Sequence, residues 1–421
     1  MAAGPRWAAP AALALCALVL AAPPALGADP VDVPLSRRPG EAAPPTVPPP
    51  ITVSLPEWLG QVTGLSDRPP PVVPPAQQLH WSLLPFVITN PLIGAGGGAA
   101  AVGAFRLGPE RTTSYSTFMA SALATTNHQF GVLLRSDVRL PDNAWILVGD
   151  WGWSRFPNPA WGVGGDSPDS ARTIVDRKQL RLHESGYWRP WSHLYVGAGL
   201  FLDDYYDITD RRAAAGEATA FSAYGIGTSG RSTSFGPAIS LLWDARDNPI
   251  YPTTGVYALA RWRGAPEELG STDTWHSLYL DLRVFLPIAD RPDVITFWAF
   301  GWVAYGRTPY LMLPAIGTDP EQRSGRGYIE ARHVGRDLLG LEGEYRFHIW
   351  EWLGGVVGAN MHGVSERAEA VGQPHVREWS PAAVAGLRLL LDRSSRSNVT
   401  LDVALAPGGR VSFYVNANEC F

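Results

Sequence analysis

The feature that most constrains this chain is a two-residue alternation of apolar and polar side chains along a hairpin over residues 239–263. The apolar face of the first arm holds Ile239, Leu241 and Trp243, and that of the second holds Val256, Ala258, Ala260 and Trp262. A period of two predicts strands, because successive side chains of a strand point to opposite faces. An apolar face opposite a charged face, with a Trp near the strand end, is typical of a membrane β-barrel.

The two arms of the hairpin are joined by residues that favour turns. Proline fixes φ and glycine tolerates positive φ, so their clustering predicts a tight connection between two strands. We treat this hairpin motif as one candidate functional segment; it comprises Asp244, Arg246, Asp247, Asn248, Pro249, Pro252 and Gly255.

The same alternation recurs from Trp81 to the C-terminus in about sixteen segments, an even number as closed bacterial barrels require. Short connections alternate with long ones, and the long ones cover residues 156–172, 204–231, 307–336 and 365–380. The sequence therefore predicts an all-β, transmembrane antiparallel barrel over residues 79–421. A water-soluble sandwich stays open as the alternative.

The N-terminal residues predict export. Residues 1–27 have the three parts of a cleaved signal peptide: Arg6, the apolar stretch 11–22 and the small-residue site Ala25-Leu26-Gly27. An N-terminal membrane anchor is the alternative, although the apolar stretch is short for a spanning helix. Residues 28–78 are dense in proline and predict an extended, disordered periplasmic segment without a folded domain.

Composition and motifs give no sign of an enzyme. A net charge of -5 and a pI of about 6 do not favour nucleic-acid binding. The histidines show no zinc spacing. Ser277 and His276 cannot form a catalytic pair, because neighbouring residues of a strand face opposite sides. We expect no catalytic residue, no metal and no cofactor.

The last predicted strand, residues 411–421, places Val411, Phe413 and Val415 outward and ends at the aromatic residue Phe421. Bacterial outer-membrane barrels commonly end in this way, and their assembly machinery reads the terminal aromatic strand. Phe421 is therefore predicted to act as a C-terminal barrel signal, and the bacterial outer membrane is the predicted location.

Three patterns in residues 236–421 carry a resemblance to a known family. They are the hairpin motif, the segment Gly325-Arg326-Gly327-Tyr328, and Glu344-Tyr345-Arg346 on the strand that follows. In this order and spacing they resemble the BamA/TamA family of outer-membrane barrels, also called the bacterial surface antigen family. The second pattern looks like the family's Arg-Gly-aromatic motif, on the long loop between the eleventh and twelfth strands.

The resemblance implies that the loop carrying Arg326 folds into the barrel lumen and that its guanidinium pairs with acidic groups of the wall. Glu342 and Glu344, with Arg346 beside them, are the candidate wall residues, since a guanidinium binds a carboxylate through two hydrogen bonds. An arginine on a mobile external loop is the alternative.

Two departures from the family pattern bear on function. Members that insert barrels carry periplasmic POTRA domains, and here we expect only the proline-rich segment. The family's Phe-x-Asp-x-Gly pattern has its Asp at the position that we align with Met361, before His362 and Gly363. Both departures weaken the transfer of an assembly role more than the transfer of the fold.

Three functions remain open from the sequence. The resemblance implies assembly, insertion or translocation of outer-membrane proteins, with membrane lipid, client proteins or a periplasmic partner as partners. Inward-facing charges favour a pore for small solutes as the first alternative. A surface-displayed binding protein that uses the loops at residues 156–172 and 204–231 is the second.

Overall fold

The computed structural model describes residues 79–90, 94–320, 322–366, 379–419 and 421. The predicted signal peptide and proline-rich segment, and most of the predicted loop 365–380, lie outside the described residues. The described part forms a single antiparallel sheet of seventeen strands.

The strands are named in chain order. Their bounds are β1 His80–Asn90, β2 Gly94–Phe105, β3 Ser116–Thr125, β4 Phe130–Arg139, β5 Trp145–Arg155, β6 Asn158–Ala160, β7 Thr173–Trp191, β8 Leu194–Asp210, β9 Gly230–Asp244, β10 Gly255–Ala265, β11 Trp275–Pro287, β12 Val294–Gly306, β13 Asp337–Trp350, β14 Leu353–Ser365, β15 Ser380–Asp392, β16 Ser397–Ala406 and β17 Arg410–Ala417.

The sheet is a meander in which each long strand pairs with the next one along the chain. The three-residue β6 pairs with β7 inside a connection, and β5 also pairs with β7. Sixteen long strands therefore form the wall, which confirms the predicted transmembrane all-β barrel. Among the described residues no ladder joins β1 to β17.

The side chains on the outside of the wall are apolar and exposed. Ile239 and Leu241 on β9 are 58% and 42% exposed, whereas Asp244 and Arg263 are buried inside. This polarity is the inverse of a water-soluble sheet and excludes the sandwich alternative. Exposed tryptophans such as Trp188 and Trp350 lie near strand ends, where aromatic girdles meet lipid headgroups.

The connections separate into two ends of the barrel, which we name the tight-turn end and the long-loop end. The tight-turn end carries the connections 106–115, 140–144, 192–193, 245–254, 288–293, 351–352 and 393–396. The long-loop end carries residues 156–172, 211–229, 266–274 and 307–336. The predicted loop 204–231 is shorter than expected, because β8 continues to Asp210 and β9 begins at Gly230.

Within the described residues the two α-helices both lie in the connection between β8 and β9. Helix α1, Arg211–Ala214, is capped by the Asp210 carboxylate, and helix α2, Ala220–Tyr224, is capped by the Thr219 hydroxyl. Over the described ranges, no helix has the length and apolar character needed to cross a bilayer.

Candidate functional site in the barrel lumen

The loop of residues 307–336, which we call the lumen loop, connects β12 and β13 and turns into the barrel. These are the eleventh and twelfth long strands, the position that the resemblance implied. Many of its side chains are buried: Ile316 is 1% exposed and Arg326 is 3% exposed. Such burial contradicts the alternative of a mobile external arginine.

Arg326 at the tip of the lumen loop binds three carboxylates of the wall. Its Nε donates to Glu342 Oε1 at 3.1 Å and one terminal nitrogen donates to Asp402 Oδ2 at 2.7 Å. The other terminal nitrogen donates to both Glu342 and Glu344. Glu342 and Glu344 come from β13, as predicted, and Asp402 comes from β16.

Two further arginines share these carboxylates. Arg346 was predicted as a wall partner, but it is a second cation and binds Glu344 through two hydrogen bonds of 2.9 and 2.8 Å. Arg388 on β15 donates to Asp402 at 2.5 Å and to Glu419 at 2.9 Å. We call this set the latch cluster; it comprises Arg326, Arg346, Arg388, Glu342, Glu344, Asp402 and Glu419.

Neutral hydrogen bonds fix the backbone around Arg326. The Asn360 side-chain amide on β14 donates to the Arg326 carbonyl at 3.0 Å. The Gly327 N–H donates to the Tyr414 hydroxyl on β17 at 2.8 Å, and the Tyr328 hydroxyl donates to the Pro381 carbonyl on β15 at 2.8 Å. The tip of the loop is therefore bound to five consecutive strands, β13 to β17.

The glycines on either side of Arg326 are required by geometry. Gly325 has φ +70°, and a Cβ there would lie 2.0 Å from Ile316 Cγ1. Gly327 has φ +108°, and its Cβ would lie 2.8 Å from that of Ala382 on the wall. A left-handed backbone packed this closely against its surroundings admits only glycine without strain.

The departure inferred at Met361 needs correction. Met361 pairs in register with Leu341, whose side chain is exposed on the lipid face, so Met361 cannot contribute to the lumen. The inward neighbour on β14 is Asn360, which lies opposite Glu342 and binds the Arg326 carbonyl instead of its guanidinium. Asp402 on β16 supplies the additional carboxylate.

The C-terminal residues lie inside the lumen. Strand β17 ends at Ala417, earlier than predicted, and Arg323 of the lumen loop donates to the Ala417 carbonyl at 2.7 Å. Phe421 is 3% exposed, and its ring centroid lies 5.3 Å from that of Trp298. The outward residues of β17 are Val411, Phe413 and Val415, which are 52%, 77% and 68% exposed. A role of Phe421 in assembly stays a prediction.

The hairpin motif crosses the tight-turn end. The Asn248 side-chain amide donates to the Ser395 carbonyl at 3.2 Å, and Asp247 pairs with Arg396 at 2.7 Å, both in the turn between β15 and β16. Ile250, in the same connection, packs with Ala104 of β2. The motif thus bridges separate parts of the barrel rim, with Pro249 and Pro252 facing a cavity.

The other members of the hairpin motif stabilise this arrangement. Arg246 binds both oxygens of Asp244 at 2.8 and 2.9 Å, and Arg139 from β4 reaches the same carboxylate at 3.0 Å. Gly255 has φ +108°, and a Cβ there would lie 2.1 Å from the Ala245 carbonyl oxygen. Glycine is therefore needed where the second arm leaves the turn.

A cavity of about 340 Å³ lies between the hairpin motif, the C-terminal residues and the lumen loop. We call it the arginine chamber; its wall includes Arg135, Arg139, Arg181, Arg246, Arg261, Arg263 and Arg283. Sequence reasoning did not find it, because it joins side chains from β4, β5 and β7 to β11 that are far apart in the chain.

Ser277 and His276 lie on opposite faces of β11, as expected from the sequence. Ser277 is buried inside the barrel, whereas the His276 ring stacks on Trp262 outside it, with centroids 5.6 Å apart. The described part of the chain contains no group of three or more His, Cys, Asp or Glu side chains that could hold a metal ion.

No protein-family model and no curated protein matches this chain. Solved structures do match. BamA from Haemophilus ducreyi lacking POTRA domains 1-3 aligns with TM-score 0.51 and 11% identity, covering 82% of this chain and 70% of that one. CdiB from Escherichia coli aligns with TM-score 0.51 and 12% identity, covering 86% and 69%. At these identities the likeness establishes the fold alone.

Proposed function

We propose that this chain is an outer-membrane barrel that assists the insertion or translocation of other proteins. The similarity of its fold to BamA and CdiB supports a barrel of this kind. The observation that carries the proposal is the lumen loop, whose Arg326 is bound by three buried carboxylates of the wall.

The anchor would act on the C-terminal part of the wall. Arg326 joins β13 to β16, and Gly327 binds Tyr414 on β17. In the proposed mechanism the latch cluster keeps β13 to β17 rigid while the boundary between β1 and β17 opens toward lipid. Unpaired strand edges are costly in hydrocarbon, so a client strand can bind there by edge addition.

The test is insertion of an unfolded client barrel into liposomes that contain this protein or its Arg326→Ala variant. We expect wild-type protein to accelerate client folding and the variant to lose most of that acceleration. Arg332→Ala is the matched control: Arg332 belongs to the same loop but binds the Ser167 carbonyl and Asp169 at the long-loop end.

The outcomes separate two roles. Loss of acceleration in Arg326→Ala but not in Arg332→Ala supports an anchor that serves insertion. No acceleration by wild-type protein, shown to be folded by its heat-modifiable migration in gels, contradicts insertion by this barrel alone.

A solute channel is the second candidate, favoured by the arginine chamber inside the lumen. The lumen loop lies toward one end of this chamber and the hairpin motif toward the other, so conduction requires one of them to move. An ion current that rises when residues 307–336 are removed supports the channel; a current unchanged by the deletion opposes loop gating.

A further inference from the structure

We infer that the arginine chamber is a binding site for a small anion that carries at least two negative charges on phosphoryl or carboxylate groups. The inference rests on the charge balance of the chamber and on the positions of Arg261 and Arg263. It is independent of the proposed role in protein insertion, because Arg326 and its partners do not line this cavity.

The chamber holds more cations than anions. Among the described residues eight arginines line it, the seven of the wall and Arg323 of the lumen loop. The carboxylates Asp137, Asp150, Asp203, Asp281 and Glu419 also line it, and Asp244 binds two of its arginines, so eight minus six leaves two positive charges. This count takes His183 as neutral. Positive charge in excess inside a wall of low dielectric attracts anions.

The available carboxylates are already shared. Asp203 is 0% exposed and binds Arg181 at 3.1 Å, Arg263 at 2.7 Å and His183 at 2.8 Å. Asp150 lies 3.5 Å from Arg135 and 3.6 Å from Arg181. Each of these carboxylates therefore offsets only part of the charge of the cations around it.

Arg261 has neutral partners only among the described residues. A terminal nitrogen donates to the Tyr187 hydroxyl at 2.8 Å and its Nε donates to Ser240 Oγ at 3.4 Å. Neither group carries charge to offset the guanidinium. A desolvated guanidinium without a counter-charge is costly, and a bound anion removes that cost.

Arg263 completes the site beside Arg261. Both belong to β10 two residues apart and so face the same side, with their guanidinium carbons 5.3 Å (Arg261) and 5.5 Å (Arg263) from the Phe201 ring centroid. Arg263 is 6% exposed, and its Nε has no hydrogen-bond partner in the described structure. Two neighbouring guanidinium groups fit the oxygens of a phosphoryl or carboxylate dianion.

The size of the chamber limits the ligand. A volume of about 340 Å³ is at the small end of ligand pockets and admits a small metabolite-sized anion rather than a folded chain. Inorganic pyrophosphate is a suitable probe. Because Trp275 lies 5.1 Å from the Arg263 guanidinium, its fluorescence provides a local signal beside calorimetry.

The experiment is a titration of the folded full-length barrel with pyrophosphate in zwitterionic detergent. We expect saturable binding that Arg261→Gln weakens about tenfold or more, since a hydrogen bond between charged groups is among the stronger ones. Arg231→Gln is the matched control, because Arg231 is 69% exposed and pairs with Asp204 outside the chamber.

Three results would overturn the inference: no saturable binding to wild-type protein, equal affinity in Arg261→Gln, or equal weakening in both variants. A further titration compares bilayers with neutral and with anionic phospholipids. Equal affinity in both supports a free anion, whereas loss of pyrophosphate binding in the anionic bilayer assigns the same site to a lipid headgroup. Measuring client insertion on the Arg261→Gln variant as well separates the test of the anion site from the test of the lumen loop.

Discussion

The latch cluster and the arginine chamber lie in the same lumen and are both built from arginines and carboxylates, but their excess charges have opposite signs. The latch cluster has four carboxylates and three arginines, and the lumen loop fills the space between them. Among the described residues the arginine chamber has eight arginines against six carboxylates, of which it shares Glu419 with the latch cluster, and it encloses a cavity of about 340 Å³. The excess charge is negative at the first site and positive at the second.

At both sites the charged side chains of the wall alone do not balance one another. Without Arg326 the latch cluster would hold four carboxylates and two arginines, so the loop supplies the missing cation from within the chain. Among the described residues no chain segment supplies the missing anions at the chamber. Loss of an arginine should therefore lower the unfolding free energy strongly at the latch cluster and only slightly at the chamber.

The largest effect is expected at the latch cluster. Arg326→Ala leaves Glu342, Glu344 and Asp402 buried with too few cations, which typically costs about 3–5 kcal/mol of the free energy of unfolding. The measurement is urea unfolding of the barrel in lipid vesicles. Arg326→Lys keeps the positive charge but cannot donate in three directions, so its unfolding free energy should lie between those of wild type and Arg326→Ala. An Arg326→Ala variant as stable as wild type would show that the latch cluster does not stabilise the barrel.

The attachment of the lumen loop should also depend on pH. Burial, reinforced by Arg332 and Arg410, lowers the pKa of His333 to about 4, and its Nδ1 lies 2.7 Å from His362 Nε2. As pH drops, the imidazole of the unfolded state is therefore protonated before that of the folded state. The unfolding free energy falls between pH about 6.5 and 4, by up to about 1.4 kcal/mol per pH unit, and the contribution of His333 is constant above that window.

The measurement is the same unfolding experiment between pH 7.5 and 4 for wild-type protein and His333→Gln. Carboxylates titrate in both proteins, and the difference between their curves reports His333 together with His362, which it contacts. Asp169, Arg332, Arg410 and His362 surround the group and are unchanged in the comparison. Parallel curves would show that His333 does not link pH to loop attachment.

A smaller effect is expected from the backbone of the latch. Gly325→Ala places a Cβ at φ +70° and 2.0 Å from Ile316 Cγ1, which should cost about 1–3 kcal/mol of unfolding free energy. Gly301→Ala on β12 is the matched control, since a Cβ there meets nothing within 4 Å. Equal stability of the two variants would show that the loop can rearrange around Gly325.

The sequence predicts the wall well because alternation is a local signal. The outward positions of Ile239 and Leu241 follow from the period of two and are exposed as expected. The Gly/Ala-rich residues 94–105 alternate poorly, yet they form β2, because pairing with neighbouring strands overrides a weak local pattern.

The site is predicted only in part, for a related reason. Glu342 and Glu344 are near Arg326 in the chain and share one strand face, so the resemblance could indicate them. Asp402 is 76 residues away, and its pairing with Arg326 depends on how β16 lies relative to the loop in the folded barrel. The inward path of the residues after Ala417 breaks the strand pattern altogether, and alternation cannot predict it.

The smallest effect should come from the chamber. Arg261→Gln removes a guanidinium that has only neutral partners, and glutamine retains a donor for Tyr187 or Ser240. No buried carboxylate loses its counter-charge, so the unfolding free energy should change by about 1 kcal/mol or less. The same unfolding experiment measures this change. A loss as large as that of Arg326→Ala would mean that Arg261 stabilises the fold as the latch cluster does, and it would contradict the contrast between the filled site and the open one.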